Sequence, residues 1–286
     1  MRNDETIKEL IIHLSHLGYS KSTQYQVPAC IKEFLIQTNK TIVNIKQADI
    51  LSFLEYLQYR PLMRSEGLLS ESMIHHYIYA LKLFFSWLEQ TSQITSNPIS
   101  NIKFKKPTYT PRQPLTQQEI KQLFKAAANT KEIATLHLFY SCGLRRTEAV
   151  DLNTNDIHFG TQLLYVREGK NSKRRVVPIN KSVKKAFEMY LRNRYNPHKE
   201  EAFMLNSIGV RMRGDIFNKT LKNIISKSEI NHLKDKVSLH HLRHSIATHL
   251  LENGMSIEFV REFLGHSNLE ATQIYTKVNK KMLNFK

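Results

Sequence analysis

The chain has 286 residues, 41% of them hydrophobic and 23% charged, a balance that places it among folded globular proteins of one or two domains. Its 42 Lys and Arg against 25 Asp and Glu leave a formal net charge of +17, a field that favours a polyanionic partner, most often nucleic acid. No apolar run approaches the roughly 20 residues of a membrane span, the acidic start MRNDETIKEL reads against a signal peptide, and Cys30 and Cys142 form no metal-spaced pair, which fits a reduced cytoplasm.

The first hundred residues read as helices. Ile7, Leu10, Ile11, Leu14 and Leu17 recur at helical spacing, and Gly18 closes the run. A second helix is expected over Thr23 to Gln37, with Tyr25, Ile31, Phe34 and Leu35 as candidate core. A third starts at Gln47, sets Ile50, Leu51, Leu54 and Leu57 on one face and stops before Pro61. The fourth follows Ser70, where Ile74, Tyr77, Ile78, Leu81, Phe84, Phe85 and Leu88 make an apolar stripe to which Trp87 also belongs. Four helices of this length make a small bundle.

From Asn97 to Pro114 the pattern breaks. Prolines, lysines and small polar residues read as an extended linker, whose Lys103, Lys105 and Lys106, like Lys173 further on, suit a phosphate backbone, though a merely solvated linker fits equally. The expected division is a first domain over 1–106, a linker over 107–114 and a second domain over 115–286. The charge is uneven across it: residues 1–106 hold 12 basic and 9 acidic groups, net +3, and the rest hold 30 and 16, net +14.

The second domain opens on Thr116-Gln-Gln-Glu119, a capping box ahead of Ile120, Leu123, Phe124 and Ala127. A helix from about Glu132 to Ser141 leads into CGLRRTEAVDL. Gln162–Arg167 and Arg174–Ile179 read as two strands around the turn EGKNSK, and helices resume over Lys181–Asn193, Asp215–Ser228, His240–Glu252 and Ile257–Leu264. The fold class is mainly α with a small antiparallel β-sheet.

Five motifs carry the chemistry. His240-x-x-Arg243 sets two side chains on one helix face, because positions three apart are neighbours there. Gly265-His266 follows the last expected helix, and Tyr275 comes nine residues later. Further upstream, GLRRTE holds Arg145 and Glu148, and EGKNSK holds Lys170 and Lys173. His240 and His244 have the i, i+4 spacing of a zinc pair, but the intervening Arg243 and the lack of a glutamate speak against that chemistry, so no metal site is expected.

The ordered set G-L-R-x-x-E, a lysine turn, H-x-x-R, L-G-H and a tyrosine resembles the signature of the tyrosine recombinase (phage integrase) family, in its compact Xer-like form. The resemblance spans nearly the whole chain. It implies a helical, SAM-like core-binding domain followed by a catalytic domain, and a site-specific recombinase that clamps double-stranded DNA. It further implies four copies on two DNA sites, with or without a second recombinase, a Holliday junction and no cofactor. A topoisomerase of type IB shares the nucleophile chemistry and differs in acting as a monomer. In a non-catalytic DNA-binding relative, the tyrosine would have no purpose.

Carried onto this chain, the resemblance makes Tyr275 the nucleophile, Arg145, Arg243 and His266 the phosphate-binding groups, His240 the base and Lys170 the acid. Glu148 acts behind them by orienting an arginine or histidine. His244 is either adjacent to the catalytic groups or a buried, hydrogen-bonded histidine. The family's G-K-G-x-K turn departs here at Asn171, which leaves Lys173 as a rival to Lys170. Arginine suits the charge built up when a phosphodiester is attacked, since its planar fork donates two hydrogen bonds and keeps its proton.

Overall fold

The computed structural model describes residues 3–62, 66–105, 113–167 and 175–265. It divides into two units, Met1–Thr110 and Pro111–Lys286. Among the described residues no helix is long and apolar enough to cross a membrane.

The first unit holds four helices, α1 (Asn3–His16), α2 (Lys21–Thr38), α3 (Gln47–Tyr59) and α4 (Glu71–Gln90). Their ends follow capping chemistry. Ser20 and Ser70 accept the backbone N–H groups of Thr23 and Met73, and Gly18 ends the first helical run at φ +70. The core collects Leu10, Leu14, Ile31, Phe34, Ile50, Leu57, Leu81, Phe84 and Phe85.

Four expected core positions lie elsewhere, among them Ile11, which is exposed on α1. Tyr25 is 78% exposed, because α2 turns Val27, Ile31 and Phe34 inward and a residue two positions from Val27 sits on the far side of the helix. Leu51 is exposed while its neighbour Ile50 is buried, and Leu17 lies past the end of α1 and faces outward. The segment after α4 is less free than an extended linker. Ile99 is buried, Ile102 and Phe104 pack on the same core, and Lys82 Nζ stands 4.8 Å from the centre of the Phe104 ring. Lys103 and Lys105, on either side of Phe104, are exposed.

The second unit starts with α5 (Gln117–Ala126), where Thr116 and Glu119 form the expected capping box through bonds of 3.2 and 2.7 Å. The next helix starts earlier than its apolar pattern suggests. Asn129 caps α6 (Thr130–Leu136), which continues as one π-helical turn, His137–Ser141. There Cys142 N–H reaches back five residues to the His137 carbonyl. Then come α7 (Arg146–Asp151), β1 (Ile157–His158), β2 (Leu163–Val166), β3 (Arg175–Pro178), α8 (Lys181–Asn193), α9 (Gly214–Ser226), α10 (Leu239–Glu252) and α11 (Ile257–Leu264).

The sheet is antiparallel in the order β1-β2-β3, with Leu164 facing both Ile157 and Val177. The two-residue β1 goes beyond the two strands expected. The helices close around a core that includes Phe139, Phe187, Phe203, Phe217, Leu221 and Ile224. Edge-to-face ring pairs, Phe139 on Phe217 and Phe187 on Phe203, set its packing.

Candidate catalytic site

The GLRRTE segment makes a tight turn before α7. Gly143 stands at φ +58, and a Cβ there would lie 2.8 Å from Leu264 Cδ2 and 3.2 Å from Phe263 Cε1. Only glycine allows both the left-handed backbone and this close approach to the end of α11. Two residues on, Arg145 caps the start of α7, and its N–H donates to Glu148 Oε2 at 2.7 Å. The same residue's Nη1 donates to Glu148 Oε1, also at 2.7 Å. A surface ion pair three residues apart would be half exposed, but the Glu148 side chain is only 1% exposed.

Two more arginines converge on that carboxylate. Arg175, the first residue of β3, donates from Nη1 and Nη2 to Glu148 at 2.7 and 2.9 Å, a bidentate pair. Arg243, buried in α10, brings Nη1 to 3.8 Å from Glu148 Oε2. Burial would raise the pKa of Glu148, but the bonds and charge of Arg175, the Arg145 N–H and the charge of Arg243 outweigh it and hold the group down to about 2. One carboxylate therefore faces three guanidiniums, leaving a net charge of +2 in the cluster.

The end of α11 is held by the same three side chains. Arg175 Nε donates to Phe263 O at 2.9 Å, Arg243 Nη2 to Leu264 O at 2.6 Å and Arg145 Nη2 to Gly265 O at 2.8 Å. Three successive carbonyls at the negative end of a helix thus each take one cation. Gly265 caps the helix at φ +63, and a Cβ there would meet Arg175 Cδ at 2.9 Å. His266 is the next residue in the chain. Arg243 Nη1 also bonds the Gly143 carbonyl, tying the two glycine turns together.

Of the residues singled out from the sequence, Arg145, Glu148 and Arg243 therefore come together. His240 lies one turn before Arg243 on α10 and is exposed while Arg243 is buried. Positions three apart diverge by about 60° around a helix, and here the edge of the buried face falls between them. His244 is buried in the same helix. The neighbouring histidines serve structure: His241 Nδ1 accepts the Ser238 N–H at 3.1 Å at the start of α10, and His249 bonds Tyr140. Lys106, Lys170, Lys173, His266 and Tyr275 lie outside the described residues. Arg145 is the cluster's most accessible cation, its side chain 27% exposed. Cys142, between the π turn and Gly143, is not a nucleophile in waiting, since burial pushes its thiol up to about 12 against the opposing charge of Arg175.

Arg175 was not singled out from the sequence, although a signal for it exists. In RRVVPI the buried phase of the strand runs through Arg175 and Val177, with Val176 and Pro178 exposed. A charged residue in the inward phase of a strand demands a partner, and Glu148 is that partner.

Residues 113–282 match the phage integrase family. The chain is 32% identical over 283 residues to tyrosine recombinase XerA of Pyrococcus horikoshii, covering 98% of this chain and 92% of that one. It is 31% identical over 279 residues to a tyrosine recombinase of Thermosipho africanus, covering 96% and 95%. The integrase of transposon Tn1549, solved with circular intermediate DNA, shares the fold with a TM-score of 0.72 at 21% identity, over 97% of this chain and 98% of that one. The chain belongs to the phage integrase family of tyrosine recombinases. It is a site-specific recombinase, an enzyme that breaks and rejoins DNA.

Proposed function

We propose that Tyr275 attacks a phosphodiester of duplex DNA while Arg145, Arg243 and His266 bind its non-bridging oxygens. A 3′-phosphotyrosyl bond forms and a 5′-oxygen leaves. A phenol with a pKa near 10 is a weak nucleophile at neutral pH, so His240 takes its proton. The departing 5′-oxygen needs a proton, which Lys170 supplies, with Lys173 as its rival in the same turn. The bond energy stays in the phosphotyrosyl link, so the 5′-hydroxyl of another strand reverses the step without ATP and passes the DNA through a Holliday junction.

The observation that carries this reading is the arginine cluster. A net +2 charge, preorganised around Glu148 and directly ahead of His266, fits the negative charge that builds on phosphorus in the transition state. It supplies the stabilisation that metal ions give other phosphoryl-transfer enzymes, so the mechanism invokes neither metal nor nucleotide cofactor. The helical residues 1–106 serve as the core-binding domain, 107–114 as the linker and 115–286 as the catalytic domain. Lys103, Lys105 and Lys106 track the phosphate backbone. Four copies act on two DNA sites in the cytoplasm.

Covalent capture tests the reading. Wild type and Tyr275→Phe are expressed in a bacterial host, adducts are trapped under denaturing conditions and the attached DNA is sequenced. Adducts at a few related sites, absent from the variant, are expected. Tyr275-dependent adducts scattered without sequence preference would instead indicate a relaxing, topoisomerase-like enzyme. Adducts that persist in Tyr275→Phe would overturn the assignment of the nucleophile.

A further inference from the structure

Arg175 has no part in the mechanism above, yet all three nitrogens of its guanidinium are taken by protein atoms. Nε holds the Phe263 carbonyl, Nη1 and Nη2 hold Glu148, and Nη2 also lies 3.4 Å from the Gly143 carbonyl. Its parallel Nη1 and Nη2 pair is spent on Glu148 and its Nε on Phe263, so its fork serves the carboxylate and not a DNA phosphate.

Its partners are shared with the two arginines that bind phosphate. Glu148 Oε1 takes Arg175 Nη1 and Arg145 Nη1, each at 2.7 Å. The Gly143 carbonyl takes Arg175 and Arg243. On α11 the carbonyls of residues 263, 264 and 265 take Arg175, Arg243 and Arg145 in turn. Arg175 thus occupies one place in each set of acceptors that fixes its neighbours.

We propose that Arg175 is a positioning residue. By holding Glu148 in a bidentate grip, it keeps that carboxylate from pairing fully with Arg145 or Arg243 and so leaves both turned toward the phosphate. The proposal rests on the phosphate-binding role given above to Arg145 and Arg243. The competition is physical: Glu148 is within 4 Å of all three guanidiniums, and whichever gives it two parallel N–H bonds claims its orientation. Without Arg175, the carboxylate would turn to a phosphate-binding arginine and neutralise it. Lysine cannot take the place, because its single ammonium lacks both the parallel pair and the Nε that reaches Phe263.

The test is a cycle of Arg175→Met, Glu148→Gln and the double variant in the full-length protein. Folding is read by circular dichroism, DNA affinity by anisotropy, and chemistry by single-turnover cleavage of a nicked site. Arg175→Met is expected to fold, to bind DNA within about threefold of wild type, and to lose about 10²-fold in the cleavage rate. The double variant is expected to lose no more than the worse single variant, because the two residues act as one unit. Cleavage by Arg175→Met within about threefold of wild type, or a double loss equal to the product of the single losses, overturns the proposal. Should Arg175→Met fail to fold, Arg175→Lys, which keeps the buried charge but not the parallel pair, decides alone: folded and cleaving within about threefold of wild type, it overturns the proposal. If wild type itself forms no Tyr275 adduct, the mechanism has failed rather than the role of Arg175.

Discussion

In the first unit, Glu33 has a side chain 25% exposed and takes Arg60 Nε at 2.6 Å and the Tyr77 hydroxyl at 2.6 Å. In the second, Glu148 is 1% exposed and takes Arg145, Arg175 and, at longer range, Arg243. The first cluster balances one negative charge with one positive and ties α2 to α4 and to the end of α3. It has no charge left to offer a ligand. The second carries more positive charge than it needs for folding, in a place where surplus charge is costly. Such a cluster makes sense when its missing anion comes from outside, and in the proposed mechanism that anion is a DNA phosphate. The same residue types thus serve as a staple in one unit and as a receptor in the other.

Removing the two carboxylates should separate these roles most sharply. Glu148→Ala leaves three guanidiniums, two of them buried, without their anion, and a loss of ~3–5 kcal/mol in denaturant unfolding is expected, together with loss of recombination. Glu33→Ala removes a partly exposed pair and a hydroxyl bond and should cost ~1–2 kcal/mol, with recombination retained. Equal losses from the two variants would break the comparison.

Acid sharpens it further. Glu148 is depressed to about 2 from an ordinary value of 4.5, so its contribution is fully present above pH 4.5 and disappears as pH falls through about 2. The amount is ~3 kcal/mol by linkage, and Glu148→Gln should flatten that part of the stability profile. An unchanged slope between pH 4.5 and 2 in the variant would show that the carboxylate is not held by its arginines.

Two left-handed glycines give the smaller contrast. At Gly143 a methyl group would meet Leu264 and Phe263 as well as an unfavourable φ, so Gly143→Ala should cost ~2 kcal/mol or more and slow cleavage. Gly18 also has positive φ, but nothing lies within 4 Å of its missing Cβ, so Gly18→Ala should cost ~1 kcal/mol and leave cleavage unchanged. Thermal melts and cleavage rates on both variants check the pair.

The parts of this account that could be read from the sequence were those fixed by spacing or by local capping. Arg145 with Glu148, and His240 with Arg243, were visible as motifs, and Ser70 and the Thr116–Glu119 box marked true helix starts. What escaped depended on phase or on distant partners. Tyr25 looked apolar enough for the core, but burial on α2 follows the angle set by Val27, Ile31 and Phe34. The π turn at His137 adds one residue to a helical turn without changing the apolar pattern. β1 is two residues long and gains its pairing only from β2. Arg175 stood beside Arg174 in a basic strand, and only its inward phase, together with a glutamate 27 residues earlier in the chain, distinguishes it.

The most direct test of the central claim, that the arginine cluster works on the charge of the scissile phosphate, compares two substrates. One carries the natural phosphate at the cleavage point, and the other carries a methylphosphonate, in which a methyl group replaces one charged oxygen. Single-turnover cleavage is measured for wild type and Arg145→Ala. On the natural site the variant should fall by about 10²–10³-fold, and on the uncharged linkage the gap should shrink to under about tenfold, because the charge that Arg145 answers is gone. The same loss on both substrates would contradict the account and leave Arg145 a structural residue at the start of α7.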